Sequence, residues 1–396
     1  MSTETSAESV RKIDRGPVAS GCPVHVGSDG TWHVRDYAGA RALLRSTDTR
    51  QAGFGIENGG RPGRMRPPVL FRDGAEHREH RRQTAKFFTP RRVDEKYREL
   101  MHRYAEEQCA RLRRRGSADL SELSFALAVA VAGEVIGLTP ARRGMARRLD
   151  RFFLESRVVP GWTSPARIAR LAYQHFALGG FYVLDVRPAI AARRRERRDD
   201  LISHLLDEGC TNPEILGECV TFAAAGMITT REFITLVAWH LFSDDALREA
   251  YVTGDEPARI AILNEILRLE PVVSNLLRRT TAEVRLSGVD GQVTIPTGAR
   301  VDVGIADANL DPTVVGERPG QLCPGRPLAD GAAGSVLSFG DGPHRCPGAH
   351  VAIQETEIFL TKLFAHPTLR LARPPKTRLR AQINSYELVG AIVAVD

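Results

Sequence analysis

One stretch near the C-terminal end, Phe339 to Gly348, constrains the fold of this chain more than any other. It reads FGDGPHRCPG, and the glycines at 340 and 342 can adopt backbone angles that other residues avoid, which allows a tight, hairpin-like loop. Cys346 ends the loop, and Pro347 follows at a position suited to the first turn of a helix. The positive end of a helix dipole favours a charged thiolate. The stretch therefore predicts a metal-binding cysteine, with a buried structural cysteine as the alternative.

Length and composition are those of a globular protein with a large core. The chain has 396 residues, 42% of them hydrophobic and 26% charged, and length alone favours two or three domains. The six cysteines are scattered, which fits reduced thiols in a cytoplasm better than a disulfide framework. No uncharged apolar run approaches the roughly 20 residues that span a bilayer, and the opening MSTETS lacks the apolar core of a secretory signal. We therefore expect a soluble, cytoplasmic protein without a membrane anchor.

The charge balance is basic, with a formal net charge of +7. Arginine supplies most of it, in runs such as those at 111–115 and 193–198, which are usually solvated helix faces. Binding of nucleic acid would need interleaved aromatic residues or a known module, and the sequence has neither. An acidic protein partner explains the excess better than a nucleic acid does.

Three further patterns carry chemical information. His77 and Arg81 are four residues apart and share one helix face, where an anion would relieve their repulsion. Gly226 interrupts a long apolar helix predicted from Asn212 to Phe242, at a cost of about 1 kcal/mol relative to alanine, which suggests that another group approaches closely there. Glu265 and Arg268 have the spacing of a helical ion pair.

The cysteine stretch resembles the ligand loop of the cytochrome P450 family, the haem-thiolate monooxygenases. Every fixed position of that family's motif is filled, by Phe339, Gly340, Gly342, His344, Cys346 and Gly348. The resemblance extends from about Thr31 to the end. It implies a mainly α fold with smaller β regions, in which haem lies between a long distal helix and the cysteine loop. Residues 1–25 would then be a flexible tail, and residues 26–396 a single haem-binding catalytic domain.

The resemblance also gives roles to the other patterns. Cys346 would be the iron ligand of haem b, in a cofactor-binding loop that includes Phe339, His344 and Gly348. The pair His77 and Arg81 matches the family's ligands of one haem propionate, and Arg278 matches the ligand of the second. Glu265 and Arg268 match a structural ion pair of the family, which either Arg318 or Arg326 would complete.

The long helix is similar to the family's distal helix, with one departure. Ala225 and Gly226 match the small pair that leaves room for dioxygen, and Thr229 matches the threonine that orients protons. The family usually has an acidic residue directly before this threonine, and Ile228 stands there instead. Glu232 is either a substitute acid or merely a helix-pairing charge. The usual acid–alcohol proton relay is therefore in question.

Several segments match pocket-lining regions of the family. The loop at 51–68 corresponds to the roof of the substrate pocket. The candidate substrate contacts are Phe54, Met65, Val69, Ser274, Asn275, Gln382 and Tyr386. The polar members of this set suggest a substrate with amide or hydroxyl groups.

The function implied is dioxygen-dependent oxidation of a small natural product in secondary metabolism, most simply by hydroxylation. One alternative is oxidative C–C or C–N coupling of an aromatic, amide-containing substrate such as a cyclic dipeptide. Two others are a haem protein without turnover and a structural zinc site. The zinc site would be formed by Cys323, His344, Cys346 and His350, whose spacing suits tetrahedral ligation poorly.

The chain carries no flavin or iron–sulfur domain. Electrons would come ultimately from NAD(P)H through a separate ferredoxin reductase and ferredoxin, and no nucleic acid or membrane partner is expected. The candidate docking residues on the basic proximal face are Lys86, Arg91, Arg92 and Arg345.

Overall fold

The structure is a computed structural model that describes residues 11–14, 22–53, 66–139, 144–153, 165–288, 291–380 and 385–396. Its α-helices are Tyr37–Arg45, Gly74–Thr84, Pro90–Arg92, Arg98–Arg115, Leu120–Ile136, Met145–Phe153, Pro165–Phe181, Arg187–Arg195, Leu201–Asp207, Asn212–Ala223, Thr229–Ser243, Asp245–Thr253, Glu256–Leu269, Ile305–Ala308, Pro312–Val315 and Ala349–Phe364. Short π-helical turns are Val93–Tyr97, Tyr182–Val186 and Ala224–Ile228, and 3-10 turns are Val69–Phe71, Ala85–Phe87 and Gly342–His344.

The strands, numbered β1 to β12 in chain order, are Val24–Val26, Trp32–Val34, Thr49–Gln51, Ser117–Asp119, Asn275–Thr280, Val284–Gly288, Gly291–Ile295, Arg300–Gly304, Arg370–Arg373, Lys376–Arg380, Ser385–Val389 and Ile392–Ala394. The predicted fold class, mainly α with smaller β regions, is confirmed. The chain forms two compact units. The first comprises Met1–Arg61, Glu232–Ala349 and Leu363–Val395, and the second Pro62–Arg231, His350–Lys362 and Asp396.

The first unit contains a five-stranded sheet in the order β1-β2-β8-β5-β3. Strand β2 pairs with β8 in parallel, whereas β8 with β5 and β5 with β3 are antiparallel. Apolar side chains that alternate along β2 and β8 pack against the helix Tyr37–Arg45, and Val34, Leu43 and Val303 are fully buried. The hairpins β6–β7 and β10–β11 complete this unit. The sheet therefore supports strand β5, which carries Arg278.

Part of the segment predicted to be a flexible tail packs onto the first unit. The backbone N–H groups of Lys12 and Ile13 donate to Oε1 of Glu270 at 2.7 and 2.6 Å. Ile13 is 2% exposed, and the other carboxylate oxygen of Glu270 lies 2.5 Å from Nε2 of His240. A buried glutamate thus anchors this N-terminal stretch. That residues 26–396 act as a single catalytic domain stays a prediction.

The second unit is helical and is built around Leu120–Ile136. This helix is apolar nearly all round, a composition typical of a buried helix, and most of its residues are buried. The Asp119 side chain caps its first turn by accepting from the N–H of Ser121 at 2.9 Å, and Gly137 ends it in the left-handed conformation at φ 98°. A β-carbon at Gly137 would lie 2.6 Å from the Asp200 carboxylate, so glycine is required at this end of the helix.

The predicted long helix is present but not regular. Thr211 and Glu214 form a capping box, the helix runs from Asn212 to Ala223, and after the π turn Ala224–Ile228 it continues from Thr229 to Ser243. Among the described residues this is the one stretch apolar and long enough to cross a membrane, and 61% of its most apolar window is buried within the fold. A core helix of a globular protein has the same composition.

Candidate functional site

The cysteine stretch forms the tight loop predicted from its glycines. Gly340 and Gly342 adopt left-handed angles, φ 69° and 65°, and the N–H of Cys346 donates to the carbonyl of Phe339 at 2.8 Å, which closes the loop. The helix behind the loop begins at Ala349, so Pro347 lies in the turn before it rather than in its first turn. The Cys346 side chain is exposed. The loop therefore presents a thiol rather than burying one.

The loop is fixed against the helix Tyr37–Arg45. A β-carbon at Gly342 would lie 2.3 Å from the carbonyl oxygen of Leu44, so only glycine allows this approach. Beside it, the Asp341 carboxylate accepts from Nε of Arg45 at 2.8 Å and from Nε of Arg41 at 3.2 Å. Burial acts to raise the pKa of Asp341, but the hydrogen bond from Arg45 and further donors outweigh it, and the pKa is lowered. The loop is thus held by close packing and by a charge cluster.

Arg278 is placed by strand β5. It is 3% exposed, and its Nη1 donates to the carbonyl of Leu277 at 2.9 Å. Leu276 is two residues earlier on the same strand face, and its Cδ1 would lie 3.7 Å from a β-carbon at Gly340. The sheet therefore brings the strand face that carries Arg278 next to the cysteine loop.

Glu265 and Arg268 form a fully buried ion pair. Nε and Nη2 of Arg268 each donate to Glu265 at 2.7 Å, and Arg268 also donates to the carbonyls of Asn309, Pro319 and Gln321. Of the two candidates for the third member, Arg326 is the one that contacts Glu265, with Nε 3.2 Å from Oε1. The network joins the helix Glu256–Leu269 to the irregular segment that precedes the cysteine loop.

In the second unit, His77 and Arg81 lie on the helix Gly74–Thr84. His77 is 2% exposed and Arg81 is half-buried. Because they are four residues apart, they lie on one face of this helix, as predicted from the sequence.

The distal-helix candidates surround the π turn. Ala225 and Gly226 are exposed, whereas Met227 and Ile228 are buried. A β-carbon at Gly226 would have no atom within 4 Å, so open space adjoins it. The Thr229 hydroxyl donates to the carbonyl of Ala225 at 2.5 Å, four residues back. This stretch of the helix thus combines open space, a backbone carbonyl and a hydroxyl.

Glu232 has a structural partner. It is 0% exposed, and its Oε2 accepts from the N–H of Leu388 on strand β11 at 2.8 Å. Ile228 is 4% exposed and supplies no proton donor.

The described candidates for substrate contact differ in their surroundings. The Asn275 amide donates to both carboxylate oxygens of Asp302, at 2.9 and 3.1 Å, and Tyr386 is fully buried. Ser274 is half-buried, and Val69 is 8% exposed with its N–H bound to Glu218 at 3.0 Å. Phe54, Met65 and Gln382 lie outside the described residues.

Sequence reasoning missed Glu214 and Glu218, which hold the segment around Val69. Two carboxylates at i, i+4 in an otherwise apolar helix were the available signal. Among the described residues, which include Cys323, His344, Cys346 and His350, no three potential ligands gather to hold a metal ion, so the zinc alternative gains no support.

Comparisons with known proteins bear on this arrangement. A family model described as Cytochrome P450 matches residues 260–383. The chain is 29% identical over 353 residues to the erythromycin C-12 hydroxylase of Saccharopolyspora erythraea, covering 87% of this chain and 83% of that protein. It is 27% identical over 314 residues to cytochrome P450 130 of Mycobacterium tuberculosis, covering 76% and 71%.

Solved structures have the same fold. A mutant of P450 EryK in complex with erythromycin B superposes with a TM-score of 0.72 at 26% identity, over 94% of this chain and 93% of that chain. The post-tailoring hydroxylase HmtN, involved in himastatin biosynthesis, superposes with a TM-score of 0.74 at 21% identity, over 96% and 95%. The chain belongs to the cytochrome P450 family. This cytochrome P450 is accordingly a monooxygenase-class enzyme with haem iron as cofactor and dioxygen as co-substrate.

The residues present in this cytochrome P450 fit a haem. Cys346 offers an exposed thiol, and thiolate is an established axial ligand of haem iron. Space for a bound group is open beside Gly226 in an otherwise largely buried helix. Arg278, Arg81 and His77 are donors of the type that binds carboxylates such as propionates.

Proposed function

We propose that this cytochrome P450 hydroxylates a small natural product in bacterial secondary metabolism, with Cys346 as the ligand of the iron of haem b. The observation that carries the proposal is the glycine-shaped loop that presents an exposed Cys346. Thiolate-ligated haem, when bound, supplies the cleavage of the O–O bond. The relatives named as hydroxylases, one acting at C-12 of erythromycin and one in himastatin biosynthesis, support hydroxylation as the reaction class.

The chain's own residues would bind the cofactor through two sets of donors. His77 and Arg81 would hold one propionate, and Arg278 would hold the other. Charge-assisted hydrogen bonds of this kind are stronger than neutral ones. Phe339, His344 and Gly348 would shape the loop around Cys346, and the network of Glu265, Arg268 and Arg326 would support that loop.

Proton handling would centre on Thr229. Its hydroxyl donates to the Ala225 carbonyl, and the lone pairs of its oxygen can still accept a hydrogen bond from a water molecule. Ile228 supplies no acid, and the Glu232 carboxylate already accepts from the Leu388 N–H. We therefore propose that water or a substrate hydroxyl delivers protons, that Thr229 positions this group by accepting a hydrogen bond from it, and that Glu232 acts as a structural acceptor.

Oxidative coupling of an aromatic, amide-containing substrate is the second candidate reaction. Buried, apolar Ile228 is the observation that favours it, because the usual acidic proton donor is missing. The two reactions differ in their product, since hydroxylation adds one oxygen atom and coupling removes two hydrogen atoms. Mass spectrometry of the product separates them once a substrate is found by its spin-state shift.

Electron supply would require separate proteins, which fits a cytoplasmic location. A ferredoxin would dock on exposed basic residues and pass to the haem the electrons that its reductase takes from NAD(P)H. Lys86, Arg91 and Arg345 are exposed, whereas Arg92 is half-buried and is engaged by Asp199. We therefore expect Lys86→Glu, Arg91→Glu and Arg345→Glu to slow reduction by ferredoxin more than Arg92→Glu does.

The test of the iron ligand is the ferrous carbon monoxide spectrum. The wild-type enzyme should show the red-shifted Soret band of a thiolate-ligated haem, and Cys346→Ala should lose it. Cys323→Ala is the matched control, because Cys323 is also exposed and lies in the same unit. A band that persists in Cys346→Ala, or that is absent from the wild type, would refute the assignment.

A further inference from the structure

One face of the helix Asn212–Ala223 contacts the segment at 66–72 through hydrogen bonds and close packing. Oε1 of Glu214 accepts from the N–H of Arg66 at 2.8 Å, and Oε1 of Glu218 accepts from the N–H of Val69 at 3.0 Å. Between them, a β-carbon at Gly217 would lie 3.1 Å from the Pro68 ring, so the helix and the segment are in close contact. Positions 214, 217 and 218 share a helix face, and their contacts follow one another along the segment.

Glu218 is the unusual member of this face. It is 2% exposed, its Oε2 has no hydrogen-bond partner among the described residues, and it stands in the first half of the helix that carries Gly226 and Thr229. Burying an isolated carboxylate costs free energy, and that cost is large for a side chain whose one backbone contact in the described part of the chain is the Val69 N–H. Arg72 offsets part of the cost. Its Nη2 lies 3.4 Å from Glu218, and its Nε donates to the carbonyl of Pro67 at 2.5 Å.

The surroundings of Glu218 define its charge state. Burial raises the pKa of Glu218 to about 7, against the opposing effects of the Val69 N–H and Arg72. Nε2 of His80 lies 3.8 Å away, and burial, with Arg72, His204 and Arg81 nearby, lowers the pKa of His80 to about 4. His80 is therefore neutral near pH 7, and Arg72 is the charged partner that faces Glu218.

The held segment carries a candidate substrate contact. Val69 begins the 3-10 turn Val69–Phe71, which is closed by the bond from the Phe71 N–H to the carbonyl of Pro68 at 2.9 Å. Glu218 fixes the first residue of this turn, and Arg72 follows directly after it. The carboxylate and the guanidinium therefore hold both ends of the turn.

We propose that Glu218 is a positioning residue for substrate, which fixes the Val69–Phe71 turn to the helix of Gly226 and Thr229 and so sets the shape of the substrate site on that side. The inference rests on the proposed function, because it takes Val69 to be a substrate contact. Loss of the Glu218 charge should loosen the turn while the cysteine loop stays unchanged.

The experiment compares two azole probes on purified holoenzyme. Imidazole is too small to report on more than the iron and its immediate surroundings, whereas econazole also fills the surrounding pocket. We expect Glu218→Ala to weaken econazole binding about tenfold and Glu218→Gln about threefold, with imidazole binding unchanged, since bonds to charged groups exceed neutral ones. Glu134→Gln is the matched control, because Glu134 is also a helical glutamate, accepts from the Tyr104 hydroxyl at 2.9 Å, and should change neither probe.

The pH profile separates positioning from a general structural role. In the wild type the ratio of econazole affinity to imidazole affinity should rise as the pH increases through about 7, where Glu218 ionises and attracts Arg72, and Glu218→Gln should flatten this rise. The ratio is the readout because both probes carry an imidazole ring that itself ionises near neutral pH. Unchanged econazole affinity in Glu218→Gln, an unaltered pH profile, or equal weakening of both probes would overturn the inference. If the wild-type carbon monoxide spectrum lacks the thiolate band, the proposed function fails instead, so the two failures are distinguishable.

Discussion

Gly342→Ala should displace the cysteine loop, because a β-carbon at this position meets backbone that cannot move aside. It would lie 2.3 Å from the carbonyl oxygen of Leu44 and 2.9 Å from the Cα of Arg45. Reaching an ordinary contact of about 3.4 Å requires a shift of about 1 Å, enough to stretch the hydrogen bonds from Arg45 and Arg41 to Asp341. A left-handed alanine costs about 1–2 kcal/mol, and each partly exposed ion pair contributes about 0.2–1 kcal/mol. We therefore expect a loss of about 3 kcal/mol in the free energy of unfolding.

Gly340→Ala is the internal control for this prediction. Gly340 has nearly the same backbone angle, φ 69° against 65°, but the nearest atom to its β-carbon would be Cδ1 of Leu276 at 3.7 Å, an ordinary contact. The expected loss is the conformational cost alone, about 1–2 kcal/mol. The difference between the two variants isolates the contact with the helix Tyr37–Arg45.

Two measurements test the pair of variants. Urea unfolding followed by circular dichroism gives the loss of stability, and the ferrous carbon monoxide spectrum gives the fraction of haem with an intact thiolate ligand. Gly342→Ala should lose much of the red-shifted band, and Gly340→Ala should retain most of it. Equal losses in both variants would show that backbone conformation, and not packing on the helix, sets the position of the loop.

Three further predictions concern Arg268, Glu355 and Thr229. Arg268→Met should lower the free energy of unfolding in urea by about 3–5 kcal/mol, since it leaves Glu265 buried without its main partner. Arg285→Met is the control, because Arg285 forms an exposed pair and its loss should lower that free energy by less than about 1 kcal/mol. Burial raises the pKa of Glu355 from 4.5 to about 8, so wild-type stability should fall as the pH rises from 4.5 towards about 8 and level off above it. Between unfolding measured near pH 6 and near pH 9 the fall should be about 3 kcal/mol. Glu355→Gln should remove it, and an identical fall in the variant would refute the assignment. Thr229→Ala should increase hydrogen peroxide released per product formed, and an unchanged ratio would mean that protons travel by another route.

Local patterns in the sequence were sufficient to predict much of the helical structure. The helix predicted from Asn212 to Phe242 is present, with helical segments Asn212–Ala223 and Thr229–Ser243 on either side of the π turn. The loop before Cys346 was likewise predictable, because its glycines admit few alternatives. These features depend on interactions between residues that are close in sequence, and local patterns carry information about such interactions.

Features that depend on contacts between residues far apart in the sequence could not be predicted from it. The third member of the Glu265 network was ambiguous, because the segment before the cysteine loop has no periodicity, and the fold selects Arg326. Glu218 binds Val69 across 149 residues of chain, so a local pattern can mark the glutamate but cannot identify its partner. The π turn was also missed, since helix propensity does not distinguish one helical hydrogen-bond pattern from another.

The π turn Ala224–Ile228 has a consequence for the register of its helix. A π turn holds one more residue than an α turn, because its hydrogen bonds join residues i and i+5 instead of i and i+4. Deleting one residue from this turn would therefore leave an ordinary α turn, and the helix on either side would keep its register. Glu214 and Glu218 would still face the segment at 66–72, and Thr229 would keep its own surroundings. The extra residue is thus a local feature of the stretch around Gly226, and its removal should alter that stretch without rotating the rest of the helix.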